Sequence, residues 1–251
     1  MINFKSVKTQ LIIYLLAFAL FLSFRDKNFA FLGTAMICLI AACALDSFIL
    51  YLKTKTLQLT ESSAITGLII GYVLAADEPW WIFALAAILA ILSKHIIRFQ
   101  KRHIFNPAAF GLFLTLIIFG ASTEWKGTYV WYIVAPAGAY FAYKVRKIEL
   151  LAAYFLTAII LFGTQALLNR VSLAGVFGYL SYFYIFVMAV EPKTTPVKLP
   201  GKYLFGACLA ALIFILTQIG ARFDVELLSL LAMNVATPFL NKIPVKKGGA
   251  A

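Results

Sequence analysis

Charge is what this sequence has least of. Of its 251 residues only 13% are charged; acids number 10, histidines 2 and cysteines 3, while 63% are hydrophobic. A soluble domain carries about 25% charged residues and about 45–50% apolar ones. So little charge cannot cover the apolar surface in water, which excludes a water-soluble enzyme, a disordered chain and a collagen-like repeat. Metal-ligating residues are equally sparse. His95 and His103 are eight apart with no carboxylate near them in sequence. Cys38 and Cys43 fall about 140° apart around a helix, so neither pair gathers a metal or an iron–sulfur cluster. With Cys208 they lie inside apolar runs and read as small fillers. No nucleophile–base pair or phosphate loop is present, and the residues alone demonstrate no enzyme.

What is there is apolar sequence in runs of about 20 residues from end to end, the mark of an all-α polytopic membrane protein. Ten segments are predicted, at 9–24, 28–52, 62–76, 80–98, 106–120, 129–144, 149–168, 172–190, 203–220 and 225–241. The run after Lys8 is followed by no small-residue cleavage site and reads as a first span rather than a removable signal. Trp80 and Trp81 suit a membrane interface.

The net charge of +12 would fit nucleic acid in a soluble chain. Here the basic residues sit in short clusters between apolar runs, so they mark topology, the partner is the bilayer, and nucleic acid is not expected. With the N-terminus cytoplasmic, 17 of the 22 basic residues fall inside; only Arg25, Lys27, Lys126, Arg170 and Arg222 fall outside. Both termini are then cytoplasmic. Ten spans divide into halves, 1–127 and 128–251, of five each. An odd number makes the second copy insert upside down, as in many transporters with inverted repeats. Ser63…Gly67…Gly71-Tyr72…Glu78-Pro79 in the third segment and Ser172…Gly175…Gly178-Tyr179…Glu191-Pro192 in the eighth share their order, though not their spacing.

Segments three and five are short, which fits half-helices whose free N–H groups point at a central polar site, or tilted helices in a thinned bilayer. Asp46 lies well inside the second segment, where an acid reads as an ion or proton site or as a group paired near the cytoplasmic end. Lys94, His95, Arg98, Lys101, Arg102 and His103 form a basic cluster that would anchor the chain or receive an anionic head group. Gly67 and Gly71 permit close helix packing or a flat ligand on bare backbone. Tyr179, Tyr182, Phe183, Tyr184 and Phe186 offer ring stacking or plain packing.

Four stretches resemble the RnfD/NqrB family of membrane subunits: Ser63-Ala64-Ile65-Thr66-Gly67-Leu68 with Pro79-Trp80-Trp81; His103-Ile104-Phe105-Asn106-Pro107-Ala108-Ala109; Phe186-Val187-Met188-Ala189-Val190-Glu191-Pro192 with Thr194-Thr195-Pro196; and Leu231-Ala232-Met233-Asn234 with Pro238 and Asn241. The resemblance implies a ten-helix fold similar to urea transporters, in a cell inner (cytoplasmic) membrane. It also implies a place in a flavin-linked electron transport complex that moves Na+ or H+ together with other Rnf- or Nqr-type subunits. FMN or riboflavin is the implied cofactor, more readily held without a covalent bond. The family's flavin-bearing hydroxyl sits in a longer insertion after the fifth span, whereas here that connection is short and offers Gly120-Ala121-Ser122-Thr123, with Phe119 in place of the expected hydroxyl. By the resemblance, Ser63, Thr66, Gly67 and Asn106 of one half and Thr194, Thr195 and Asn234 of the other contact the flavin, Ser122 is the attachment candidate, and Glu191 takes up a cation or proton; Asp46 is a second ion or proton candidate from its place in an apolar span alone. The alternative is a stand-alone transporter or channel for flavin or a small neutral solute on the same fold.

Overall fold

The computed structural model describes residues 4–99, 102–170, 172 and 180–244. The chain separates into two compact units, Met1–Val134 and Ala135–Ala251. The first holds α1 (Val7–Arg25), α2 (Ala30–Thr54), α3 (Glu61–Val73), α4 (Trp80–Ile96), a hairpin of β1 (Arg98–Phe99) and β2 (Arg102–His103), α5 (Pro107–Phe119) and a short 3-10 turn, Thr128–Val130. α6 (Trp131–Lys144) begins there and continues into the second unit. The second unit adds α7 (Ile148–Leu168), a π-helical turn (Tyr184–Met188), α8 (Leu199–Gln218) and α9 (Val225–Leu240).

Four of these helices, α1, α2, α7 and α8, are long and apolar enough to cross a membrane. The distribution of side chains agrees with that length. Leu20, Phe24, Ile40, Leu156 and Ile160 stand exposed on the outside, while Asp46, Ser63, Asn106, Thr115 and Asn234 are buried. That is the reverse of a soluble protein and is stable only where the surroundings are as apolar as the surface.

α3 and α5 have 13 residues each, about 20 Å of rise, short of the roughly 30 Å hydrocarbon core. Local chemistry fixes where they start. Thr60 caps α3, its hydroxyl accepting from the Ser63 N–H. Asn106 caps α5, accepting from the Ala109 N–H, with Pro107 at the first helical position. Both satisfy orphan amides at a helix start. α3 lies at the centre of its unit, buried from Thr66 to Val73. Its glycines allow this: a Cβ on Gly67 would stand 2.5 Å from the Cys38 carbonyl oxygen, and one on Gly71 would stand 2.6 Å from the Ala35 Cα.

Two expectations need revision. The fourth segment does not run to residue 98: Ile97 leaves helical geometry (φ −89°, ψ 87°), and Arg98 pairs with His103 and Phe99 with Arg102 in an antiparallel hairpin. The described part of the eighth segment is wound as a π-turn, with the Ala189 N–H donating to the Tyr184 carbonyl. Residues 173–179, with Gly175, Gly178 and Tyr179, lie outside the described residues, as do Gln100, Lys101, Val171 and residues 245–251.

Candidate functional site: two polar clusters in apolar units

In the first unit the buried carboxylate of Asp46 on α2 meets α4. Lys94 Nζ donates to Oδ1 and Oδ2 at 3.1 and 3.2 Å, and His95 Nε2 lies 2.7 Å from Oδ1. The Thr60 hydroxyl, ahead of α3, donates to Oδ2. Lys53 Nζ is 3.4 Å from the other ring nitrogen of His95, which places the imidazole proton on Nε2, toward Asp46. A carboxylate removed from water needs this many donors. Of the sequence-predicted ion groups, Asp46 is thus a paired acid that ties the interior of α2 to the start of α3 and the end of α4.

The loops after α3 and α5 close against each other. Leu74 and Thr123 form an antiparallel bridge, the Glu124 N–H donates to the Val73 carbonyl, and the Lys126 N–H donates to the Tyr72 carbonyl. Lys126 Nζ reaches the Leu74 carbonyl at 2.7 Å. The end of α3 therefore has partners for carbonyls that a buried helix terminus would otherwise leave unmet. Ser122 sits in this clasp, its N–H and hydroxyl both donating to Glu78 Oε1, at 2.7 and 3.0 Å.

The second unit carries a comparable device. The Thr194 carbonyl accepts from Asn234 Nδ2 at 3.2 Å and from the Thr237 hydroxyl at 2.8 Å. Lys147, in the turn before α7, donates to the carbonyls of Thr195 and Pro196 at 3.3 and 2.6 Å. The Thr195 hydroxyl donates to the Glu191 carbonyl, and the Thr194 hydroxyl to the Glu191 carboxylate. The structure thus brings Glu191, Thr194, Thr195 and Asn234 together around one loop. Burial, with Lys202 nearby and against the pull of Glu149, lowers the Lys147 ammonium to about 8. Sequence reasoning misses Lys147 and Thr237. Along the chain Lys147 reads only as a topological charge, whereas Thr237 was findable, three residues after Asn234 on the same helical face.

The residues expected to contact flavin are engaged elsewhere. Ser63 donates to the Thr60 carbonyl and Thr66 to the Ser62 carbonyl. The space beside Gly67 is filled by α2, Asn106 Oδ1 caps its own helix, and the hydroxyls of Ser122, Thr194 and Thr195 are donated as described above. As arranged, this set does not fit a flavin.

The sequence profile of the NQR2, RnfD, RnfE family matches residues 2–135 and 133–248. The chain is 40% identical over 87 residues to the D-type subunit of the ion-translocating oxidoreductase complex of Shewanella loihica, a stretch covering 34% of this chain and 22% of that protein. It is 24% identical over 270 residues to the D-type subunit of the proton-translocating ferredoxin:NAD(+) oxidoreductase complex of Clostridium ljungdahlii, covering 84% of this chain and 82% of that one. It is 23% identical over 279 residues to the D-type subunit of the ion-translocating oxidoreductase complex of Marinobacter nauticus, covering 81% and 79%. The chain therefore spans less than a quarter of the Shewanella relative but about four-fifths of the other two. With apolar helices throughout and a profile matched from one end to the other, this multi-pass membrane protein belongs to the NQR2, RnfD, RnfE family.

Proposed function

We propose that the chain is the D-type membrane subunit of an Rnf-type ion-translocating oxidoreductase complex, coupled to Na+ or H+ and working with other subunits of that complex. The observation that carries this is end-to-end family membership, together with two relatives named as such subunits over about four-fifths of their length. The stand-alone transporter is not favoured, because the relatives are named as parts of complexes.

Within this reading the two units are inverted five-helix halves of a ten-span fold, near 1–127 and 128–251, in the inner membrane with both termini cytoplasmic. Support comes from the clasp that recurs in each: a loop bearing Glu-Pro, at Glu78-Pro79 and at Glu191-Pro192, whose neighbouring carbonyls are met by a lysine, Lys126 or Lys147. The short α3 and α5 are the half-helices, ending where loop backbone is satisfied by protein. We assign Asp46 as the ion or proton group of the first unit and, separately, Glu191 as that of the second, where Thr194, Thr195 and Asn234 surround the same loop. Flavin chemistry, which the family links to such complexes, is assigned to partner subunits, because the hydroxyls of Ser63, Thr66 and Ser122 are already donated. An electron carrier is needed for redox work, and the carrier's chemistry is its own.

The test is purification of the tagged chain from its native membrane in mild detergent. We expect co-purifying partner subunits, and ion uptake into inverted membrane vesicles, driven by reduced ferredoxin with NAD+, that is lost when this chain is deleted. A chain that purifies alone and whose deletion leaves that uptake unchanged would overturn the assignment.

A further inference from the structure

The segments at one end of the first unit, residues 53–60 and 94–106, hold six Lys and Arg (Lys53, Lys55, Lys94, Arg98, Lys101 and Arg102) and no acid. The segments at its other end, 25–29, 74–79 and 120–127, hold three basic residues and four acids. The positive-inside rule accounts for that bias as the chain is inserted, but it leaves the finished protein with charge that neither basic segment offsets. Asp46 reaches both of them, and its oxygens are already taken by Lys94, His95 and Thr60. Lys53 Nζ, 3.4 Å from His95 Nδ1, joins the two segments into one surface. Lys53, Arg98 and Arg102 are exposed on it.

The same surface carries apolar side chains that the charge rule does not explain. Leu57 and Leu59 are 81% and 82% exposed, and Phe99 is 51% exposed. Their depth relative to the cations follows from α2. It has 25 residues, a rise of about 37 Å against a hydrocarbon core of about 30 Å, so its last turn, with Lys53, reaches the head-group layer. From there the chain folds back. The Gln58 carbonyl accepts from the Ser47 hydroxyl at 2.9 Å, and Ser47 lies about 9 Å down α2 from Lys53. Leu57 and Leu59 flank that contact and so stand nearer the core than Lys53 does. On the hairpin, Phe99 and Arg102 are directly opposed, and residues so paired project from one face. Cations outermost with apolar groups nearer the core is the layering of a lipid leaflet at its head groups. A soluble acidic partner would match the cations but leave the leucines in water. We propose that Lys53, Arg98 and Arg102 bind the phosphate head group of an anionic phospholipid, with Leu57, Leu59 and Phe99 against the upper part of its acyl chains. Planar guanidinium groups suit phosphate oxygens. This binding does not depend on the reading of the chain as an Rnf-type subunit.

The test uses the full chain, purified in neutral detergent and titrated with phosphatidylglycerol or with phosphatidylcholine of the same chain length. Bound lipid is counted by native mass spectrometry. We expect phosphatidylglycerol to bind about ten-fold more tightly than phosphatidylcholine. Arg98→Gln/Arg102→Gln should weaken phosphatidylglycerol by about 10- to 30-fold and leave phosphatidylcholine unchanged. Phe99→Ser should weaken both lipids alike. Should the double variant fail to fold, Lys53→Gln and Phe99→Ser decide, the first by loss of preference and the second by loss of affinity. Equal binding of the two lipids, or a preference that persists in the charge variants, would overturn the proposal and leave the cluster as a topological signal. Two competition results would also overturn it. Displacement of phosphatidylglycerol by inorganic phosphate at equal concentration would mark a site for the free anion, and displacement by a polyglutamate peptide would mark a face for an acidic protein. None of these readouts involves another subunit.

Discussion

Lys147 and Pro196 are joined across 49 residues of sequence by a 2.6 Å hydrogen bond from the buried ammonium to the carbonyl. The same ammonium holds the Thr195 carbonyl, so one side chain pins the loop that also carries Glu191 and Thr194.

This makes stability depend on pH in a stated direction. Burial brings Lys147 down from 10.5 to about 8, so between those values the unfolded chain binds more protons than the folded one. Stability therefore rises as pH is raised through the window from about 8 to about 10.5. Tm measured at pH 7.5 and pH 9.5 should increase in wild type. In Lys147→Met that rise should shrink, while the variant loses about 1–3 kcal/mol from the two carbonyls left unmet.

Replacing Asp46 by Asn removes the negative charge facing Lys94, and one of the two acceptor oxygens, in a site where the Asp46 side chain is 1% exposed. Breaking one partner of such a pair costs about 3–5 kcal/mol. Asp46→Asn should lose a large part of the folded population on heating, and the Asp46→Asn/Lys94→Met double variant should recover part of it. Strict additivity in a double-mutant cycle would show that the pair is not coupled.

Three glycines separate packing from propensity. Gly67→Ala and Gly71→Ala force α3 away from α2 and should each lower stability by about 1–3 kcal/mol. Gly33, in α2, has open space around it, and Gly33→Ala should be neutral or stabilising by about 0.5–1 kcal/mol. Thermal melts of the three variants in one detergent make the comparison.

Asn106 caps α5 through Ala109. Asn106→Ala should cost about 0.5–2 kcal/mol and Asn106→Ser much less, since both Asn and Ser accept at a helix start. If Asn106 instead contacts a ligand through its amide, Asn106→Ser will keep stability and lose ion uptake by the complex.

The sequence by itself determined that the chain lives in a membrane, where its nine described α-helices begin and end to within a few residues, and which family it belongs to. These follow from properties written along the chain: run length, caps such as Asn106-Pro107, and short ordered motifs. The same local view missed the Arg98–His103 hairpin and the π-turn at Tyr184–Met188, because neither has a period of its own. Only the tertiary structure decided what the polar residues do. Asp46 and Lys94 are 48 residues apart, and Asn234 and Thr194 are 40 apart; no spacing rule joins them. In an apolar surrounding a buried polar group must find a partner wherever the fold supplies one, so Ser63, Thr66 and Asn106 became fastenings of their own helices.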